Sequence, residues 1–468
     1  MNDRLNRLSR HVCSKLRTLG FSSPREAVVN SLLKAALFAS LKTEEGRFLR
    51  GSLTFADPKN PDIDIPPCRR ADYPSFTPLG HRMPLHTGAL AKLFRAVDRW
   101  SGSIAVYGTP GKKLFVWEVV DQLVQHNVHL NRESPTGFAA PGVITVNIEG
   151  IADISVYHGI LFLGRVTQDT LSTTESDALS SEIVAERVIP ELEPVADRIA
   201  LALNSEEFEG DVRPRLLEAW RSTVSRICIG LRRLGIGGSL LITPRPLREN
   251  LEVVHPFRYT RMGDSTALSV LDELYHEGTQ WSKPGFPQEA SPEYAAELGW
   301  AQADAEDRAS ELTAAIKLVT SLATADGLVL MDRLLRVRGF GVKITIGTRL
   351  PPIYDGQDFS HRGTGARKID ASQFGTRHGS MLRYCHADPE AIGVVISQDG
   401  HVRVISSSGS RLLLWQNVRL LSHDQGVAAY ARQMRGWRKA LIRNPVPRTL
   451  GFTAVPKTMR ALLALRRK

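Results

Sequence analysis

A chain of 468 residues exceeds a single ordinary hydrophobic core and implies two or three domains of roughly 100 to 200 residues each. Its 42% hydrophobic and 23% charged residues exclude a disordered or fibrous chain, and no apolar run reaches the roughly 18 to 20 residues of a membrane helix. The net charge of +11 lies wholly beyond Asp424, where eleven Lys and Arg meet no acidic residue, so residues 1–424 are neutral and need no acidic polymer as partner.

In chain order, Leu5, Leu8, Val12, Leu16 and Leu19 recur at helical steps, and Ser23-Pro24 opens a second helix through Val28, Leu32, Ala35, Phe38 and Leu41. A Pro- and Asp-rich span from Pro58 to Pro78 reads as loop, and Gly88 to Trp100 as helix. From Ser103 the period changes. The runs 103–107, 114–120, 142–147, 154–157 and 160–163 are strand-like, which predicts an α+β domain over residues 1–170.

A helical linker is expected over 171–211, followed by a mixed α/β domain over 212–424 and a basic C-terminal helix and tail over 425–468. Within the third stretch the sequence predicts a helix over 216–234 and a strand over 239–243. It then predicts a helix with its core face at Leu312, Ala315, Ile316, Val319 and Leu322, and strands over 328–331, 334–337, 392–396, 402–405 and 411–418. Four scattered cysteines (Cys13, Cys68, Cys228, Cys385) form no C-x-x-C pair and point to reduced thiols. Met1 to Arg10 lacks the apolar block of a signal peptide, so the expected location is cytoplasmic.

Three loop signatures cluster between Ala325 and Ile405. Asp326-Gly327 hands a helix over to a strand, placing a carboxylate that could hold Mg²⁺ together with substrate phosphates; as an isolated pair it is also an ordinary turn. Gly375-Thr376-Arg377-His378-Gly379-Ser380 opens a helix with a hydroxyl, a guanidinium and an imidazole, which suits a phosphate at a helix N-terminus or, equally, a solvated cap. In Ser397-Gln398-Asp399-Gly400 the last two residues make a hairpin turn, leaving Ser397 and Gln398 at the strand end to meet a ligand.

Taken in this order, the motifs over residues 212–422 resemble the diadenylate cyclase domain, a DisA-type nucleotidyltransferase whose markers are Asp-Gly-Ala, Arg-His-Arg and a Ser-Glu-Glu strand end. The resemblance implies a mixed sheet flanked by helices, one ATP per protomer, and a homo-oligomer with two domains face to face. In that family each ATP 3′-hydroxyl attacks the α-phosphate of the other, giving cyclic di-AMP and two pyrophosphates. It further implies that Asp326 binds Mg²⁺ or Mn²⁺, that Arg377 and His378 are catalytic with Asp326, and that Gly327, Leu328, Thr376, Ser397 and Gln398 contact substrate. The N-terminal domain, through the helix ending Ser40-Leu41-Lys42-Thr43-Glu44-Glu45-Gly46-Arg47, resembles the probable sensor domain DACNV found fused to divergent cyclases, which implies an unknown sensory ligand.

Leu328 stands in place of the family's Ala, Gly379 in place of its second Arg, and Gln398-Asp399 in place of two Glu. Arg383, one helical turn beyond Gly379, is the candidate replacement cation. The departures leave a second reading, a degenerate cyclase domain that binds ATP or a cyclic dinucleotide without turnover. The tail reads as a solvated basic helix or as a weak contact to an anionic membrane or nucleic acid.

Overall fold

The computed structural model describes residues 1–44, 47–58, 75–97, 102–108, 113–121, 143–159, 161–167, 171–174, 176–203, 209–244, 250–279, 292–325, 327–347, 349–359, 366–398, 400–418 and 420. Asp326, Asp399, Cys68 and the basic tail 425–468 lie outside them. The described residues form two sheet-centred units in succession.

In the first unit, α1 (Asn2–Thr18) buries Leu5, Leu8, Val12 and Leu16, the stripe that its spacing predicts, and α2 (Glu26–Ser40) buries Val28, Leu32 and Ala36. The strands are β1 (Thr43–Glu44), β2 (Arg47–Phe48), β3 (Gly51–Phe55) and β4 (Ser75–Pro84), then, after α3 (Thr87–Ala96), β5 (Gly102–Tyr107) and β6 (Phe115–Asp121). They continue with β7 (Ile144–Gly150), β8 (Asp153–His158), β9 (Leu161–Val166) and β10 (Leu171–Ser172). Eight of them make one sheet in the order β10-β9-β8-β7-β3-β5-β6-β4, antiparallel except where β3 meets β5. The two N-terminal helices share a core with Leu53, Ile104, Val146, Val156 and Leu163 of this sheet. Strand β4 replaces the end of the loop expected over 58–78.

The second unit contains α4 (Glu182–Leu203), α5 (Glu209–Leu234), β11 (Gly238–Ile242), β12 (Leu251–Tyr259), α6 (Arg261–Thr279) and α7 (Pro292–Leu322). After these come β13 (Leu328–Met331), β14 (Val337–Ile344), β15 (Ile353–Asp355), β16 (Lys368–Ile369), α8 (Thr376–Ala387), β17 (Ile392–Ile396), β18 (Val402–Ser408) and β19 (Arg411–Trp415). Their nine strands form one mixed sheet in the order β12-β14-β13-β11-β17-β18-β19-β15-β16.

The central strands β11, β13 and β17 are buried along their whole length, as continuous apolar runs such as Leu328-Val329-Leu330-Met331 require when both faces are covered. On one face Leu240, Val329, Val394 and Val404 pack with Val184, Val224, Val270 and Val319 of α4 to α7. On the other, Leu241, Leu330, Val395 and Ile405 pack with Met381, Leu382 and Cys385 of α8. Each such side chain contributes roughly 1.5–3 kcal/mol by leaving water.

Two differences from the sequence-based expectation have local causes. Of the run expected as a strand over 334–337, Leu334–Arg336 is a turn, because the Asp332 carboxylate accepts from the backbone N–H of Leu334 (3.1 Å) and Arg336 (2.9 Å) while Leu335 takes a φ of 58°. The extended strand therefore starts only at Val337. Residues 251–279, for which the sequence suggested no element, hold β12 and α6; β12 is an edge strand whose Pro256 sits at a register shift, which hides its strand character.

The units meet through polar contacts. Arg165 of β9 holds Asp153 of β8 with two bonds (2.7 and 2.5 Å) and reaches Asn417 of the second unit at 3.0 Å. Ser176 pairs with Val418 in an isolated parallel bridge, and Arg232, in the last turn of α5, lies 3.6 Å from Glu149 of β7. No helix among the described residues is long and apolar enough to cross a membrane.

Candidate functional site

Register places the sequence signatures at one end of the second sheet. Gly238 of β11 stands opposite Ile396 of antiparallel β17, and Leu240 opposite Val329 of parallel β13, so the start of β11, the start of β13 and the end of β17 lie together. Strand β18 starts at the same end, with Val402 opposite Ile396. Gly237, Gly327, Ser397 and Gln398 thus come from distant parts of the chain to one edge.

Close packing here depends on two glycines in the left-handed region. Gly327 has a φ of 104°, and a β-carbon on it would stand 2.5 Å from the backbone of Gly341 in β14. The close approach it permits is to a neighbouring strand. At Gly237 (φ 76°) a β-carbon would stand 3.0 Å from the Ile396 carbonyl oxygen, 3.1 Å from Arg377 Nη1 and 3.1 Å from the Gln398 backbone nitrogen. The Arg377 guanidinium therefore rests on the turn before β11, beside the end of β17.

Helix α8 begins at Thr376 with Gly375 as its N-cap, which supplies no side-chain hydrogen bond to the first turn. That turn carries Thr376, Arg377 and His378 and no acidic residue, leaving backbone donors and the positive end of the helix dipole facing the sheet end. Thr376 and Arg377 are exposed, while His378 is buried with its ring stacked on Phe374 (centroids 5.5 Å apart, 25° between planes). Arg383 Nη1 lies 3.3 Å from where a β-carbon on Gly379 would be, so this guanidinium reaches the surface of the helix turn that bears Gly379.

Arg403 was not among the residues singled out from sequence. Its Nη1 donates to Ser397 Oγ at 2.7 Å and lies 3.1 Å from His378 Nε2, and its guanidinium sits 5.4 Å from the centre of the Phe374 ring. It joins the second and third sequence signatures directly. The available signal was its setting in Val402-Arg403-Val404: a charge inside an apolar strand, in a sheet covered on both faces.

Leu328 is buried among the α8-side core, its side chain taken up by packing. Gln398 is exposed at the strand end, and Ser397 begins a hairpin closed by the Gly400 N–H on the Ser397 carbonyl at 2.9 Å. Asp326 follows α7 in sequence and precedes Gly327, and lies outside the described residues. Among the described residues no group of three or more His, Cys, Asp or Glu could hold a metal ion. The described donors at this sheet end are hydroxyls, guanidiniums and backbone N–H groups, a set suited to phosphate oxygens, with which a metal would arrive already partly ligated.

Burial pushes the Cys385 thiol in α8 well above the usual range, and that of Cys228 in α5 up to about 12, the direction that opposes thiolate formation. Asp355, at the end of β15, is tied to Arg367 at 2.8 Å.

Residues 21–121 fit the family model described as probable sensor domain DACNV, which falls within the first unit. No curated protein and no solved structure matches the chain.

Proposed function

We propose that the second unit is a nucleotidyltransferase of the diadenylate cyclase kind, coupled to the DACNV sensor unit before it. The observation that carries this reading is the convergence of Gly237, the open N-terminus of α8 and the Ser397 strand end, with the Arg377 guanidinium and the His378–Arg403–Ser397 cluster between them. Phosphoryl-type transfer asks the protein for positioning and charge more than for a covalent nucleophile, and this end of the sheet offers both.

In this reading Thr376, Arg377 and the backbone of the α8 first turn hold the nucleotide phosphates, and Arg383 supplies the charge that an Arg at position 379 would otherwise give. Asp326 would hold Mg²⁺ or Mn²⁺, and the ion would supply charge neutralisation at the phosphate oxygens. Two units face each other so that each 3′-hydroxyl attacks the other nucleotide's α-phosphate; a P–O bond forms, the α–β phosphoanhydride breaks, and pyrophosphate leaves. The Arg232–Glu149 contact ties the sensor sheet to α5, whose end leads into the Gly235–Gly238 turn of the site.

Incubation of the purified full chain with ATP and Mn²⁺, with products identified by mass spectrometry, tests this; cyclic di-AMP is the expected product. ATP that binds and returns unchanged would favour a nucleotide-sensing module, the alternative raised by Gly379.

A further inference from the structure

We infer that Arg403 is a positioning residue of this site: it fixes the tautomer of His378 and locks the first turn of α8 to the end of β17. A guanidinium carries donors and no acceptor, so the 3.1 Å contact between Arg403 Nη1 and His378 Nε2 requires Nε2 to accept. The proton of the neutral ring then sits on Nδ1. The same Nη1 donates to Ser397 Oγ at 2.7 Å, which joins the imidazole to the hydroxyl through one nitrogen.

Rotation of this cluster is blocked from a second direction. The Phe374 ring, just before α8, lies against both the His378 ring (5.5 Å between centroids) and the Arg403 guanidinium (5.4 Å). Arg403 itself is anchored on β18 opposite Val395, with Ile405 two residues on packing beneath α8. The strand alternation thus aims Arg403 at the α8 face, where a charged side chain is otherwise costly.

The consequence for chemistry rests on the nucleotide-site reading. His378 then enters the site as a neutral ring held in one tautomer, and the positive charge comes from guanidiniums. The tautomer itself does not depend on that reading, which keeps the two separable.

The test is a long-range ¹H–¹⁵N correlation spectrum of the full chain with ¹⁵N-histidine, the His378 signals being assigned by their loss in His378→Gln. In the unaltered protein Nδ1 is expected to be protonated and Nε2 bare. Arg403→Ala is expected to release this preference and to weaken ATP binding about tenfold, the loss of one charge-assisted hydrogen bond. Arg403→Gln, which keeps an N–H donor, is expected to restore the tautomer. A proton on Nε2 in the unaltered protein would overturn the inference, as would an Arg403→Ala protein with both tautomer and ATP affinity unchanged. If the unaltered chain binds no ATP, the nucleotide reading fails, while the tautomer result still decides the role of Arg403.

Discussion

Arg383 Nη1 lies 3.3 Å from the position a β-carbon would take on Gly379. The cation one turn along α8 thus reaches back to the point where the resembled family carries its second Arg, and the absence of a side chain at position 379 is what leaves room for it. Arg383→Ala is expected to weaken ATP binding by about tenfold, the scale of one hydrogen bond to a charged group. Arg383→Ala combined with Gly379→Arg is expected to recover most of that loss. Calorimetric titration with ATP checks both; unchanged affinity in Arg383→Ala would remove Arg383 from the site.

Gly327→Ala is expected to destabilise the second unit on the order of 2–4 kcal/mol, from a left-handed φ combined with a β-carbon 2.5 Å from the Gly341 backbone. Neither strand can shift cheaply, since β13 is buried on both faces. Urea unfolding followed by fluorescence measures the effect, and a change below about 0.5 kcal/mol, the range of an ordinary surface substitution, would show that the packing is slack.

Much of the second unit was legible because its central strands are unbroken apolar runs: 328–331 and 392–396 fall where the sequence places them. The turn at Asp332 was not legible, since Leu334, Leu335 and Val337 look extended until the Asp332 carboxylate is seen to hold two N–H groups. At the candidate site, the residues at the α8 N-terminus and strand end could be picked out by their punctuation with Gly. Arg403 carried only the signal of a charge inside an apolar strand, because its partners are 25 and 6 residues away and become neighbours only through the β17–β18 pairing. Whether Gly237 matters is likewise a question of what lies against it in space.

The Glu149–Arg232 pair is partly exposed, so its own contribution to stability is small, about 0–1 kcal/mol. Its expected effect is on communication. Glu149→Arg and Arg232→Glu are each expected to alter ATP affinity, with the double exchange returning it toward the original value. A double-mutant cycle on ATP affinity measures this; strictly additive changes would show that the pair does not link sensor and site.

Burial raises the thiols of Cys13, Cys228 and Cys385 above their ordinary range and shields all three from reagent in the folded chain. In a Cys68→Ser background a thiol-specific disulfide reagent at pH 8 is expected to label the native protein at least tenfold more slowly than the urea-unfolded protein. Equal rates would mean that the α5 and α8 cores open readily.

The most direct test of the nucleotidyltransferase reading is the rate of cyclic di-AMP formation per protomer from ATP and Mn²⁺, measured across protein concentrations, with Asp326→Asn as control. Two sites must meet, so the rate per protomer is expected to rise with protein concentration before reaching a plateau, and Asp326→Asn is expected to form no product. Bound ATP with no cyclic di-AMP at any concentration would contradict the proposed activity, and product formed equally well by Asp326→Asn would contradict the proposed site.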